Sequence, residues 1–187
     1  MAIYPHSMKT GIFFATIEPG LPHRRAEQEA VARILAAEFP GVPTGRHPSG
    51  LPWIEGAYIS IAHNRDTAVV AVSDSPVGID IEYPRAQLAR VATRFLSPAE
   101  QQACTTPAQL LSAWTAKEAV YKAIHSLLGP TCPVKVITDI TLTPSPDSQP
   151  SLDGTLPSHA TVAAYTFTLT YQPLPSGALL TIARPAN

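Results

Sequence analysis

Three short segments rich in β-branched and small apolar residues follow one another so closely that they constrain the fold more than any other feature of the sequence. They span residues 58–62, 68–73 and 77–83, and short polar turns separate them. Connections of this length cannot contain the helix that joins parallel strands, but they suffice for hairpins. The sequence therefore predicts an antiparallel meander of three strands in this region.

The segments before and after this meander alternate between helical and strand-like patterns. Residues 11–17 are apolar and aromatic, as in a strand, and residues 23–39 carry apolar side chains at helical spacing. The later predicted elements are helices at 87–95, from Ser97 and at 107–125, then strands at 134–142, 161–171 and 178–182. This order predicts an α+β fold in which two similar units meet near residue 76.

Ser97 begins a short sequence that is typical of a helix N-terminus. Ser97 stands at the cap, Pro98 at the first helical position and Glu100 at the third. In this pattern the serine and the glutamate side chains each accept a hydrogen bond from the other residue's backbone. Glu100 is therefore expected to have a structural task in addition to any chemical one.

The composition excludes several classes of protein. The 187 residues, 45% of them apolar, can supply a hydrophobic core, and a formal net charge of −1 offers no general positive field for nucleic acid. No apolar run approaches the ~18 residues of a membrane span, and the N-terminus lacks the apolar core of a signal peptide. Only Cys104 and Cys132 are thiols, so a reduced, cytoplasmic protein is expected. The charge and the lack of a long apolar run predict neither a nucleic-acid partner nor a membrane partner.

Proline is frequent, with 20 in the chain. Many of these prolines lie at residues 40–52 and 144–157. The second segment is also rich in Ser and Asp and poor in apolar residues. It predicts a flexible loop at residues 144–158.

Asp80 and Glu82 form the first candidate site. They are two apart on a predicted strand, so both side chains leave the same face, while Ile79 and Ile81 face the other way. Neighbouring carboxylates repel each other unless water or a cation neutralises them. Mg²⁺ is a suitable cation, because it binds a few carboxylates together with substrate phosphates. The alternative is an acidic pair on a solvent-facing strand.

Glu118 and Lys122 form the second candidate site. They are four apart on the predicted helix at 107–125 and share a face. An exposed ion pair, worth a few tenths of a kcal/mol, is the alternative to a functional role.

Together, and in this order, the two sites resemble the signature of the 4′-phosphopantetheinyl transferase superfamily, in particular its surfactin-synthetase-activating members. The signature residues are Gly-Ile-Asp at 78–80, Trp-Thr-Ala-Lys-Glu-Ala at 114–119 and Lys122. The flanking segments Ile-Ser-Ile-Ala-His at 59–63 and Arg-Phe-Leu-Ser-Pro-Ala-Glu at 94–100 also resemble family motifs.

The resemblance implies a fold of two similar halves, residues 1–75 and 76–187. Each half would pack a small antiparallel sheet on a long helix, and the active site would lie between the halves. Because one chain would carry both halves, a monomer is expected.

The resemblance also implies an activity of the holo-acyl-carrier-protein synthase type. The enzyme would transfer the 4′-phosphopantetheine of coenzyme A to a serine of an apo acyl or peptidyl carrier protein, releasing adenosine 3′,5′-bisphosphate. Its cofactor would be Mg²⁺, held by Asp80, Glu82 and Glu118.

Further roles follow from the same resemblance. Lys117 and Lys122 would offset phosphate charge, and His63 would contact a phosphate. Either Glu118 or Glu100 would accept the proton of the carrier serine, and Glu118 is preferred because Glu100 belongs to the capping box.

The nucleotide end of coenzyme A is where the sequence departs from the family. A basic residue that often precedes a proline there is replaced by Leu51, so either Arg46 or His47 would take its place or the nucleotide is held differently. Of these, Arg46 together with His63 is expected to contact the 3′-phosphate. Arg25, with Arg24 and Arg33, resembles a basic family stretch on the first helix, although these residues also fit a solvated helix face.

Two other functions fit parts of this pattern. A relative could bind coenzyme A or a carrier protein without transfer, but it would be expected to lack one of the acidic residues. Another Mg²⁺-dependent phosphohydrolase could use the same three acids, but that function leaves Trp114 and the segment at 59–63 unexplained.

Overall fold

A computed structural model describes residues 8–144 and 156–186. Within these ranges the chain contains two antiparallel sheets, a separate hairpin and four α-helices. The elements in chain order are β1 (Gly11–Thr16), α1 (His23–Glu38), β2 (Thr44–Arg46), β3 (Pro52–Ile54), β4 (Tyr58–His63), β5 (Thr67–Ser73), β6 (Gly78–Glu82), α2 (Gln87–Val91), α3 (Pro98–Ala103), α4 (Pro107–Leu128), β7 (Thr141–Pro144), β8 (Pro157–Val162), β9 (Tyr165–Pro173) and β10 (Leu179–Pro185).

The first sheet has the strand order β1-β5-β4, and both pairings are antiparallel. β5 is central and almost wholly buried, as its run of Ala and Val residues requires. Helix α1 packs on this sheet through Ala26, Ala30 and Ile34, which recur at helical spacing. The hairpin of β2 and β3 lies beside β4 and was not predicted from the sequence.

The second sheet has the order β6-β10-β9-β8-β7, with every pairing antiparallel. Helix α4 crosses this sheet and buries Ala116, Val120 and Ile124 against it. The mixed α+β class, with antiparallel sheets and a long helix, is thus as predicted.

Gly78 sets how closely α4 approaches β6. A Cβ at this position would lie 2.0 Å from the carbonyl oxygen of Ala119 and 2.3 Å from the nitrogen of Ala123. Only glycine leaves room for the helix backbone at this distance. As a result, the residues that follow Gly78 on β6 lie beside those on α4.

The three-strand meander is the main error of the sequence prediction. β4 and β5 form a hairpin as predicted, but β6 leaves that sheet and pairs with β10, more than ninety residues later. β4 and β6 are edge strands of different sheets that lie against each other. The hydroxyl oxygen of Ser60 on β4 accepts a hydrogen bond from the backbone nitrogen of Ile79 at 3.0 Å, across this boundary.

Three predicted elements near the C-terminus also need correction. Most of the strand predicted at 134–142 is irregular, with a 3₁₀ turn at Ile137–Asp139, and β7 begins only at Thr141. The strand predicted at 161–171 is two strands, joined by a tight turn in which Ala163 has a φ of 52°. The loop predicted at 144–158 falls mostly on residues 145–155, outside the described residues, and β8 begins at Pro157.

The helix starts agree better with the prediction. The capping box of Ser97 and Glu100 is present at the start of α3. A second capping box, formed by Thr106 and Gln109, begins α4. In the described ranges, none of the helices has both the length and the apolar character that crossing a membrane requires.

Candidate active site

A cleft of about 570 Å³ lies where β4, β6 and α4 meet. Its walls combine residues of β4 and β6 with residues of β2, of α4 and of the segment after α4. Among them are Arg46, Ser60, His63, Asp80, Tyr121, Lys122, His125 and Lys135. A second cavity of about 530 Å³ shares Arg46 and His63 with the cleft and extends along α1 and the β2-β3 hairpin. The two cavities therefore form neighbouring parts of one groove.

Asp80 lines this cleft, whereas Glu82 and Glu118 lie beside it and are not among its lining residues; 7% of the Asp80 surface is exposed. One of its carboxylate oxygens lies 2.8 Å from Nζ of Lys122. The other is buried and has no hydrogen-bond partner among the residues that the structure describes. A buried carboxylate oxygen without a donor is unfavourable, so this atom is suited to a cation or a donor from a ligand.

Glu82 lies on the same strand as Asp80, at its C-terminal end. It forms a 2.7 Å ion pair with Arg85. Burial raises the pKa of Glu82, Arg85 opposes this rise, and the nearby negative charges of Asp80 and Glu118 add to it.

Glu118 faces these residues from α4. Burial raises the pKa of the Glu118 carboxyl, the negative charge of Asp80 raises it further, and Lys122 lowers it. Three carboxylates thus influence one another across the boundary between β6 and α4. Across residues 8–144 and 156–186, however, no three His, Cys, Asp or Glu side chains are grouped so that they could hold a metal ion as they stand.

The donor set nevertheless fits a hard cation. All three side chains offer carboxylate oxygens, which Mg²⁺ prefers, and one Asp80 oxygen lacks any partner in the described chain. Mg²⁺ also keeps several positions for water and substrate phosphates, so it needs few protein ligands.

Lys122 supplies the positive charge next to Asp80 in the cleft. Its ammonium group donates to Oδ1 of Asp80 at 2.8 Å and to the backbone carbonyl of Ile79 at 2.9 Å. The predicted alternative, an exposed pair with Glu118 on the helix surface, is therefore not the contact that forms. Lys122 instead joins α4 to β6, with about a quarter of its side chain exposed.

Lys117 and Glu100 do not lie in the cleft, and their positions correct two predictions. Lys117 is 1% exposed and donates to Glu100 at 2.8 Å and to the carbonyl of Ile140 at 2.6 Å. Because α4 turns this side chain toward α3 and the start of β7, it cannot offset phosphate charge in the cleft as predicted.

Glu100 is fully occupied by structural contacts. Its two oxygens accept hydrogen bonds from Lys117 and from the backbone nitrogens of Ser97 and Leu142. Burial raises the pKa of Glu100, but these hydrogen bonds outweigh it and leave the pKa lowered. A buried carboxylate with a lowered pKa is a poor proton acceptor, so the predicted catalytic role of Glu100 does not fit this arrangement.

His63 ends β4 and lines both cavities. Its Nδ1 lies 2.9 Å from Oε1 of Glu27 on α1. Burial lowers the pKa of His63, Glu27 raises it, and Lys122 and His23 lower it again. The structure thus places His63 at the cleft, with a carboxylate partner that was not predicted from the sequence.

The predicted nucleotide contacts separate into two groups. Arg46 is exposed, lines both cavities and donates to the carbonyl of Gly50 at 2.7 Å. Arg25 pairs with Glu29 at 3.1 Å on the exposed side of α1 and lines neither cavity, whereas Arg24 lines the second cavity. Arg25 is therefore replaced by its neighbour as the candidate on this helix.

Several residues that line the groove were not predicted from the sequence. They are Glu27, Trp53, Tyr121, His125 and Lys135. His125 could have been found, because it is three residues from Lys122 on α4, and Tyr121 could have been found through His125, from which it is four residues away. Trp53 could not, because the hairpin that carries it was not predicted.

Comparison with known proteins is consistent with this geometry. A sequence model described as the 4′-phosphopantetheinyl transferase superfamily matches residues 76–182. The enterobactin synthase component D proteins of Salmonella typhi and Salmonella typhimurium are each 32% identical to the chain over 110 residues. Each alignment covers 55% of this chain and 46% of the relative, so the chain spans about half the length of the curated relatives that it matches.

Proposed function

The chain belongs to the 4′-phosphopantetheinyl transferase superfamily, and from this premise we propose that it transfers the 4′-phosphopantetheine of coenzyme A to a serine of a carrier protein. One observation carries the proposal: a single cleft combines the unpartnered carboxylate oxygen of Asp80 with the basic side chains of Lys122 and His63. Such a cleft suits a substrate with a pyrophosphate group, which needs positive charge for its oxygens and a site for a cation.

The proposed reaction is a phosphoryl transfer. The serine oxygen of the carrier protein forms a bond to the phosphorus that bears the pantetheine arm. The bond from this phosphorus to the bridging oxygen of the pyrophosphate breaks, and its electrons leave with adenosine 3′,5′-bisphosphate. Positioning and charge stabilisation supply most of the catalysis in such reactions.

Lys122 and His63 are proposed to hold the phosphates. The Lys122 ammonium group is partly exposed in the cleft, so it can contact a phosphate oxygen while it stays near Asp80. His63 also lines the cleft, at the end of β4, and can contact the same group. Lys122 would stabilise the charge that develops on the phosphoryl oxygens, and His63 would hold the bound phosphate.

Glu118 is proposed as the proton acceptor for the serine hydroxyl. In the cation-free protein, burial and the charge of Asp80 raise the pKa of its carboxyl, and a carboxylate with a raised pKa is a better base near neutral pH. Glu100 lacks this property, because its hydrogen bonds lower its pKa.

Asp80, Glu82 and Glu118 are proposed to hold Mg²⁺ together with the phosphates of coenzyme A. When bound, the cation would neutralise charge on the pyrophosphate. Asp80 would remain paired with Lys122, and Glu82 with Arg85.

The nucleotide end is proposed to lie in the second cavity. Arg24 and Arg46 line it, and Trp53 is 37% exposed there. Arginine is suited to the 3′-phosphate, because its guanidinium group can donate two parallel hydrogen bonds to it.

The setting of the reaction is also a proposal. Residues of both sheets line the cleft, so one chain with halves at 1–75 and 76–187 can act as a monomer. Cys104 and Cys132 are both unpaired, which fits a reducing compartment such as the cytoplasm. Because the curated relatives are components of an enterobactin synthase, peptidyl carrier proteins should be tested beside acyl carrier proteins.

The test is to incubate the protein with coenzyme A, Mg²⁺ and apo acyl or peptidyl carrier proteins and to measure the carrier mass. A gain of one phosphopantetheine group on the wild-type carrier, and none on a carrier whose serine is replaced by alanine, is expected. Binding of coenzyme A without any mass gain would instead support the non-catalytic relative. Hydrolysis of coenzyme A without a carrier product would support a phosphohydrolase.

A further inference from the structure

Glu27 lies between two histidines from different elements. Its Oε1 atom is 2.7 Å from Nδ1 of His23, at the start of α1, and 2.9 Å from Nδ1 of His63, at the end of β4. The Glu27 side chain is only 14% exposed, whereas that of His63 is 43% exposed. A nearly buried carboxylate thus holds an accessible imidazole at the wall of the groove.

This contact determines which nitrogen of His63 carries a proton. A carboxylate oxygen only accepts hydrogen bonds, so Nδ1 of His63 must be protonated to contact Glu27. The other ring nitrogen, Nε2, then remains for a ligand in the groove. Carboxylates and carbonyls commonly fix the tautomer and orientation of a functional histidine in this way.

The charge of Glu27 would otherwise be unfavourable at this position. Glu27 lines the second cavity, and a free carboxylate would repel an anionic substrate there. Its contacts with two histidines direct the negative charge toward imidazole rings. The charge therefore supports a cation at His63 instead of opposing the ligand.

Four charged or titratable groups act on His63. The pKa of His63 is lowered overall in the ligand-free protein: burial lowers it most and Lys122 and His23 lower it further, while Glu27 and Asp80 oppose this. Glu27 makes the largest contribution in favour of the charged imidazole and is the direct partner of the ring. A phosphate also only accepts hydrogen bonds, so His63 must be protonated at both nitrogens to contact Glu27 and a phosphate together.

We propose that Glu27 is a positioning residue that holds His63 with Nδ1 protonated and directs Nε2 to a phosphate of coenzyme A. The inference rests on the proposed function for its substrate, but the contact between Glu27 and His63 does not. Glu27 acts through His63 and takes no part in the transfer of the phosphoryl group. It should affect the binding of coenzyme A more than the turnover of the bound substrate.

The first test uses the ligand-free protein and is independent of any activity. Nitrogen-15 NMR of the imidazole groups reports the tautomer of His63 above its pKa, assigned with a His63→Gln variant. In the wild-type protein we expect His63 to carry its proton on Nδ1. Glu27→Gln should shift it toward the Nε2-protonated tautomer, because an amide can also act as a donor.

Glu29→Gln is the matched control. Glu29 lies on the same helix, pairs with Arg25 and lines neither cavity. This variant should leave the His63 signals unchanged. A Glu27→Gln variant with an unchanged His63 tautomer would overturn the proposal.

The second test measures coenzyme A directly. Glu27→Gln should weaken its binding about tenfold or more in calorimetry and raise its KM by a similar factor, with kcat nearly unchanged. Glu27→Asp should recover part of the affinity, and Glu29→Gln should bind as the wild type does. Equal affinities of Glu27→Gln and wild type would contradict the positioning role. A wild-type protein that binds coenzyme A but modifies no carrier would contradict only the proposed function.

Discussion

The backbone of Gly78 on β6 lies in direct contact with that of Ala119 on α4. A side chain at Gly78 would place its Cβ 2.0 Å from the Ala119 carbonyl oxygen, well inside van der Waals distance. Asp80 lies two residues further along β6. The close approach brings its Oδ1 atom within 2.8 Å of Nζ of Lys122 on the helix. The geometry of the cleft therefore depends on the absence of one methyl group.

Gly78→Ala should destabilise the protein by about 1–3 kcal/mol or more, because backbone atoms on α4 cannot move away as a side chain would. Chemical denaturation measures this change. Gly41→Ala is the control: Gly41 has a φ of 76°, but a Cβ there meets nothing within 4 Å. It should cost only the strain of the backbone conformation, about 1–2 kcal/mol. If Gly78→Ala is as stable as the wild type, α4 does not approach β6 as described.

Asp80→Asn should abolish transfer while leaving the protein folded. The amide keeps the shape of the side chain but removes the charge that is proposed to bind Mg²⁺. Calorimetry with Mg²⁺ and coenzyme A should show weaker binding of the metal, and circular dichroism should show an unchanged fold. Asp74→Asn, at an exposed position between β5 and β6, is the control. Near-normal turnover of Asp80→Asn at saturating Mg²⁺ would remove Asp80 from the metal site.

Glu118→Gln should stabilise the ligand-free protein at neutral pH. The pKa of Glu118 is raised above its ordinary value of 4.5, so the folded state holds this proton more tightly than the unfolded state. Wild-type stability should therefore fall as the pH rises from about 4.5 through the raised pKa. The variant lacks this loss.

Denaturation curves of wild type and Glu118→Gln should consequently agree near pH 4 and diverge at pH 7, with the variant more stable. Glu29→Gln, at an exposed position, should not show this divergence. The same Glu118→Gln variant should lose transfer activity. A constant difference in stability at all pH values would show that Glu118 titrates normally.

Lys117→Met should destabilise the protein by about 3–5 kcal/mol, because it leaves the buried carboxylate of Glu100 without its cation. The double variant Lys117→Met with Glu100→Gln should recover part of this loss, since no buried charge remains. Urea denaturation of both variants measures the difference. If the single variant keeps its stability and loses only coenzyme A binding, Lys117 faces the substrate after all.

Arg46→Ala should raise the KM for coenzyme A more than the KM for 3′-dephospho-coenzyme A. Arg46 lines both cavities and is proposed to contact the 3′-phosphate that distinguishes the two substrates. Arg25→Ala is the matched control, because Arg25 is exposed on α1 and lines neither cavity. Equal losses on the two substrates would show that Arg46 does not recognise the 3′-phosphate.

Local sequence patterns predicted the elements of the fold better than their pairing. The period of apolar residues defined α1, and the capping box at Ser97 defined the start of α3. The partner of β6 could not be predicted, because β10 lies more than ninety residues away and no short turn specifies the pairing. Proximity in sequence favoured pairing of β6 with β5. In the structure β6 pairs with β10 instead and is buried under α4.

The candidate site shows the same division. Asp80 and Glu118 were identified from motifs and lie close enough that the charge of Asp80 raises the pKa of Glu118. Lys117 was predicted to face the substrate, although its position on α4 indicates burial. It continues a buried stripe that runs through Ala113 and Val120, and the charge of lysine hid this period. Its partners Glu100 and Ile140 belong to elements whose approach only the fold defines.

The candidate basic contacts to the nucleotide come from residues before 74, whereas the three carboxylates proposed to hold Mg²⁺ come from residues after 77. Substitutions in the β2-β3 hairpin or α1 can therefore alter substrate preference without changing Asp80, Glu82 or Glu118, and the reverse also holds. Natural selection can vary recognition and chemistry as two separate traits.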